Sequence, residues 1–242
     1  MGTQTKTLRT ALELDAFEPQ AAAKESFTEQ RRAPWDPNRF AEQQIRWLVR
    51  QVFFPQERDA PRQVVFSPVQ NNDIGAICLQ VGQILSDQVS GSICVVEADA
   101  HALELESVLI NNGRQPGLGQ NTFPPLRNSS QKISEQLWRV PLRTFLGDQQ
   151  NDLSSPWLRE RLAELSLEFD YRVIQAPAAR YSEAALLGQL SDGMILVLQA
   201  NSTRRAAAKK VKEMLLAANV RLLGAVLSER TFPIPQKLYR KL

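Results

Sequence analysis

Few residues in this chain can do chemistry, and their types limit what that chemistry is. There is one histidine, His101, and there are two cysteines, Cys78 and Cys94, in 242 residues. Both cysteines sit in apolar stretches, as core thiols do. A lone histidine excludes Ser-His and Cys-His catalysis and histidine-rich zinc sites unless His101 serves by itself. Three polar points remain. One is the segment Ser67-Pro68-Val69-Gln70-Asn71-Asn72-Asp73-Ile74-Gly75-Ala76, one is the acidic pair Glu97 and Asp99, and one is Gln175. A loop between a strand and a helix can cradle phosphate, and acids at strand ends can hold magnesium. Each residue also has a plainer reading. Glu97 and Asp99 can be solvated strand-end acids, Gln175 can bond loop backbone, and His101 can lie on a surface loop.

The elements that must position these residues alternate. Asn38 opens an expected helix to Phe54, with Phe40, Ile45, Leu48, Val49 and Val52 as its apolar stripe. Strands are predicted at 63–66, 93–96, 137–140, 171–175, 194–198 and 222–227. Helices are predicted at 74–85, from Ser154 or Ser155 to 169, at 182–189 and at 203–218. Short apolar strands separated by helices argue a mostly parallel sheet covered on both faces, a three-layer α/β/α domain. Ligands in such folds bind at the carboxyl ends of the strands, where Ser67–Asp73, Glu97–Asp99 and Gln175 stand. Residues 1–37 keep no period and read as a disordered tail before a single domain over 38–242. The Asn-, Gly-, Pro- and Ser-rich stretch 111–131 reads as a long loop.

Composition excludes other classes. The chain is 43% hydrophobic and 23% charged, ordinary for a globular protein. No apolar run reaches the roughly 18 residues of a membrane span, and the first twenty residues lack an apolar signal core, so a cytoplasmic protein is expected. The net charge is +3, unevenly spread. From Thr203 to the end there are ten Lys/Arg and two Glu. Such a segment suits an acidic partner, an anionic membrane surface or nucleic acid, or is a solvated helix face.

Several segments in this order resemble the cytoplasmic domain of the bacterial tyrosine autokinases of capsule and exopolysaccharide synthesis. These are Phe169-Asp170-Tyr171-Arg172-Val173-Ile174-Gln175-Ala176-Pro177, Ser191-Asp192-Gly193-Met194-Ile195-Leu196-Val197-Leu198, Asn201-Ser202-Thr203-Arg204-Arg205, Leu223-Gly224-Ala225-Val226-Leu227 and Pro116-Gly117-Leu118. The resemblance covers roughly residues 40–242. It implies the P-loop fold of the MinD and ParA ATPases, Mg-ATP as cofactor and tyrosine phosphorylation as activity.

The departures bear on that activity. On the resemblance, Asn71 and Asp73 replace the two loop glycines of G-x-x-x-x-G-K-[ST]. Ile74 replaces the lysine, Gly75 the magnesium-binding hydroxyl, and Gln175 the Walker B aspartate. Glu97 and Asp99 stand where the family has two aspartates. Phosphoryl transfer is positioning and electrostatics, and these swaps remove cations and magnesium ligands while Asp73 adds a negative charge. The expectation is a pseudo-kinase that needs no cofactor and regulates or scaffolds polysaccharide assembly or export. The alternatives are an active Mg-ATP-binding autokinase with unusual motifs, or a MinD- or ParA-like positioning protein.

Expected partners are a membrane chain-length regulator or an active kinase, with no nucleic acid, and a place in the cytoplasm or peripherally at the inner membrane face. Glu42, Arg46 and Arg50 keep the residue types of a family ring contact. Their four-residue spacing puts them on one helix face, which suits a homo-oligomer contact or an intrahelical ion-pair row. Tyr239 is what remains of the family's C-terminal tyrosine cluster, a candidate phosphosite or an ordinary exposed residue.

Overall fold

The computed structural model describes residues 37–55, 59–99, 125–147 and 155–229. The 1–37 tail, apart from Pro37, lies outside the described residues, as do His101, Pro116-Gly117-Leu118 and Tyr239.

The central apolar runs become strands buried on both faces, as parallel strands between helical layers must be, while the outer strands Gln131–Lys132 and Leu222–Ser228 are exposed or partly buried. They are β1 (Gln63–Pro68), β2 (Ile93–Glu97), β3 (Gln131–Lys132), β4 (Leu137–Val140), β5 (Tyr171–Gln175), β6 (Gly193–Gln199) and β7 (Leu222–Ser228). The helices are α1 (Pro37–Phe53), α2 (Gly75–Ser86), α3 (Leu142–Leu146), α4 (Ser155–Glu168), α5 (Ser182–Gln189) and α6 (Arg205–Ala217). α1 starts at Pro37, not Asn38. A proline fits the first helical turn because its missing N–H would have no partner there.

The seven strands form one sheet in the order β3-β4-β2-β5-β1-β6-β7. Every neighbouring pair is parallel except β3 with β4. One face carries Val64, Phe66, Val95, Val173, Ile195 and Val197 against α1 and α2. The other carries Val65, Cys94, Val96, Ile174, Met194 and Leu196 against α4, α5 and α6. This is the expected three-layer α/β/α architecture. Cys78 lies in the first core and Cys94 in the second, both free and buried. Burial raises both thiols, so both are inert apolar fillers. Gly82 lets α2 lie close on the sheet, since a Cβ there would come 2.7 Å from Val95 Cγ2.

The strand order also fixes where a ligand crevice would open. The β1-to-β2 connection leads to one side and the β5-to-β6 connection to the other, so adjacent β1 and β5 mark the topological switch point.

Candidate functional site

At that switch point the carboxyl ends of β1 and β5 are tied together. The Ala176 N–H donates to the Phe66 carbonyl at 2.9 Å and the Ala179 N–H to the Pro68 carbonyl at 2.8 Å. The Ser67 hydroxyl, buried, donates to the Pro177 carbonyl at 2.6 Å. The β1–α2 loop, Val69–Ile74, runs over this seam.

Three consecutive amides fasten that loop to three different neighbours. Gln70 Oε1 accepts from the Ser202 hydroxyl at 3.1 Å. Asn71 Nδ2 donates to the Tyr181 oxygen at 3.3 Å. Asn72 Nδ2 donates to Gln199 Oε1 at 2.8 Å, and Gln199 Nε2 in turn donates to Glu229 at the end of β7 at 2.5 Å. Each amide offers both donor and acceptor atoms, which is what a cross-tie needs. Tyr181 also accepts from Arg180 Nη2 at 2.8 Å. The bonds from Asn71 and Arg180 hold its phenol below the ordinary tyrosine range, while the charge of nearby Asp99 opposes that shift.

Asp73 makes the local turn into α2. Its Oδ1 accepts from the Gly75 N–H at 2.8 Å, an Asx-turn in which an aspartate bonds the backbone two residues on. Gly75 is the first residue of α2, so the carboxylate sits at a helix N-terminus, where partial positive charge favours an anion. Ile74 is buried, 2% exposed, within the α1/α2 core. Among the described residues positive φ occurs only at Gly147, Asn201, Asn219 and Glu229. The loop therefore holds no left-handed residue of the kind that turns successive N–H groups into an anion nest.

Gly75 faces Gln175. A Cβ on Gly75 would stand 3.1 Å from Gln175 Oε1 and 3.1 Å from Asp73 Oδ1. Two of the expected site residues, from α2 and β5, are thus side by side. Glu97 is one strand over, opposite Gln175 in the β2–β5 register, but its carboxylate is engaged by Arg139 of β4, whose Nε donates to Oε1 at 2.5 Å. Asp99 is half-buried just past the strand end. Among the described residues no three His, Cys, Asp or Glu side chains gather as a metal-ligating group.

α1 packs on α2 and shares a core with Ile74. Glu42 accepts from Arg46 at 2.9 Å, and Arg50 is exposed one turn on. The intrahelical pair is present for Glu42 and Arg46.

Sequence reasoning missed Gln70, Asn72, Tyr181, Gln199 and Arg139. The Gln-Asn-Asn run was a usable signal, because three side-chain amides in a row beside a strand end need partners. The identity of those partners, between 110 and 132 residues away, had no local signature.

Comparison with known proteins fits this architecture. No protein-family model matches the chain. The tyrosine-protein kinase YwqD of Bacillus subtilis (strain 168) is 32% identical over 77 residues. That match spans 31% of this chain and 32% of that protein, so it covers about a third of the curated relative. The chimerical protein CapA2B2 matches with a TM-score of 0.56 at 17% identity, over 81% of this chain and 86% of that one. The kinase domain of Escherichia coli tyrosine kinase ETK matches at 0.56 and 14%, over 81% and 79%. A ParA family ATPase from Chlorobium tepidum TLS matches at 0.50 and 14%, over 69% and 74%. The fold is the P-loop NTPase-like α/β fold of these domains, and the chain resembles the bacterial tyrosine autokinases.

Proposed function

We propose that this chain is a non-catalytic relative of the bacterial tyrosine autokinases. On this reading it is a regulatory or scaffolding subunit of exopolysaccharide or capsule biosynthesis or export, at the inner face of the membrane. It works beside a membrane chain-length regulator or an active kinase, and needs no cofactor. The observation that carries the reading is the Asp73 carboxylate bonded to the Gly75 N–H at the start of α2. That N–H and the helix terminus are what a P-loop offers to phosphate. Here an internal anion uses them. A phosphate brought to about 4 Å from that carboxylate meets a repulsion of roughly 4 kcal/mol per charge pair at an effective dielectric of 20. Buried Ile74, at the expected lysine position, supplies no opposing cation. The amide ties of Gln70, Asn71 and Asn72 give the loop a structural occupation in place of a ligand.

A second reading, an active Mg-ATP-binding autokinase, draws on the approach of Gly75 to Gln175. The resemblance assigns these two positions to the magnesium shell, and they adjoin. Thermal unfolding with millimolar Mg-ATP separates the two. A ligand at 100 times its dissociation constant stabilises by about 2.7 kcal/mol, which at about 2–4 °C per kcal/mol raises the melting temperature by roughly 5–11 °C. The expected result is no shift. A rise of that size, lost on Asp99→Ala, establishes the second reading instead.

Self-association is the remaining part of the proposal. Exposed Trp47 and Arg50 lie near the Glu42–Arg46 pair on α1. Arg46→Glu with Arg50→Glu should lower the mass measured by light scattering. A wild-type monomer at every concentration leaves α1 with the ion pair alone.

A further inference from the structure

A marked charge asymmetry lies on α6, which follows the Gln199–Ser202 turn tied to the β1–α2 loop. Val211 and Leu215 of this helix are buried against the sheet, within the α4–α6 core. Its exposed residues include a run of cations. Arg204, Arg205, Lys209, Lys210 and Lys212 are all exposed. Glu213 is the one carboxylate within the helix, 3.8 Å from Lys209, in a pair whose side chains are 75% and 65% exposed. Such a pair is largely screened by water, so the five cations act on whatever approaches.

Their spacing orders them. Arg205, Lys209, Lys212 and Leu216 follow one another at intervals of four, three and four residues, which is a single stripe along a helix. Leu216 ends the stripe 49% exposed, and Met214 beside it is 39% exposed. Three cations leading to an uncovered leucine make a surface with both charge and an apolar end.

We infer that the outward face of α6 adsorbs to an anionic lipid surface. The cations meet lipid headgroup phosphates and Leu216 enters the boundary of the acyl region. Two features fit lipid better than other anions. The helix Arg205–Ala217 contains no aromatic residue on which a nucleic-acid base could stack. An exposed leucine at the end of a polybasic stripe gains from an acyl boundary and gains nothing from a phosphate backbone. The contact goes beyond the membrane-side role proposed above, because it is made by the chain itself and holds whether or not nucleotide binds.

The test is co-sedimentation of the full chain with vesicles of 30% phosphatidylserine in phosphatidylcholine, against vesicles of phosphatidylcholine alone. Binding is expected to the first, not the second, and should fall steeply between low and high salt. A basic residue near such a surface contributes about a five-fold increase in binding, so Lys209→Glu with Lys212→Glu should weaken binding by about 25-fold or more. Arg205→Gln with Lys212→Gln, a milder change at two exposed positions, should weaken it to a smaller degree. Leu216→Ser should weaken it several-fold without changing the salt dependence. Equal binding to both vesicle types, no binding to either, or charge variants that bind as wild type while keeping its melting temperature overturns the proposal. So does short duplex DNA that displaces the protein from vesicles at equal phosphate concentration.

Discussion

Carboxylates close backbone N–H groups at both ends of the sheet, but in different ways. At the amino end Asp192 accepts from the N–H groups of Arg62 and Gln63 at 2.7 and 2.8 Å, across 130 and 129 residues. Asp170 there accepts from the Ser92 N–H at 2.8 Å and the Ser92 hydroxyl at 2.9 Å, across 78 residues. At the carboxyl end Asp73 accepts one bond, from Gly75 two residues away. The long-range carboxylates clamp the starts of strands that pair in the sheet, β6 with β1 and β5 with β2. The local one shapes a turn that its own segment largely determines. Removing the first kind should cost stability. Removing the second should cost little, yet it changes what the helix terminus offers to an incoming anion.

The largest effect is expected from a residue adjoining the local carboxylate. Ile74→Lys puts an ammonium where the side chain is 2% exposed in an apolar core. An unpaired charge there carries a large desolvation cost, and lost packing adds to it. A loss of about 3 kcal/mol or more is expected, a fall in melting temperature of roughly 6–12 °C. A folded variant of unchanged stability that gains Mg-ATP binding would mean that position 74 can turn to the crevice as a P-loop lysine does. The carboxyl end would then be a site that has lost its cation, not one rebuilt as structure.

Next comes the direct contrast. Asp192→Ala removes two charge-assisted bonds and leaves the Gln63 N–H part-buried, for a loss of about 2 kcal/mol in urea unfolding. Asp73→Ala removes one exposed bond at a helix start, where caps are worth about 0.5–2 kcal/mol, and should fall at the low end. Asp73→Ala should also strengthen binding of inorganic phosphate, which Asp192→Ala should leave unchanged. Equal stability losses, with no difference in phosphate binding, would erase the distinction between the two ends.

The same contrast shows which parts of this molecule are legible without coordinates. Val64-Val65-Phe66, Ile93-Cys94-Val95-Val96 and Met194-Ile195-Leu196-Val197 read as buried strands because uninterrupted apolar runs that short fit little else. Their order then gives the layers and the crevice. The crevice contents were less legible. Whether Ile74 faces solvent or core depends on how α1 lies across α2, and α1 is separated from residue 74 by a strand and a loop. Glu97 read equally well as a free acid, because Arg139 reaches it only through the β2–β4 pairing. Residues whose role depends on backbone period were visible. Residues whose role depends on a partner far along the chain were not.

The smallest effect concerns pH and sharpens the amino-end side of the contrast. The Ser92 N–H and hydroxyl hold the Asp170 carboxyl below the ordinary aspartate range, partly offset by burial and helped by the charges of Arg62 and Arg172. A carboxyl depressed by folding adds stability that is fully present above its unfolded value, near pH 4. That stability is lost as pH falls through the lower folded value. Asp170→Asn keeps an acceptor and removes the charge. The stability gap between wild type and this variant should therefore be open at pH 7 and close below about pH 4. Asp170 is exposed, so solvent screens most of the interaction and the gap should be only about 0.5 kcal/mol. Urea midpoints at pH 7 and pH 3 measure it. A gap that persists unchanged at pH 3 would assign the contribution of Asp170 to shape and hydrogen-bond count, with its charge as incidental as that of an exposed turn residue.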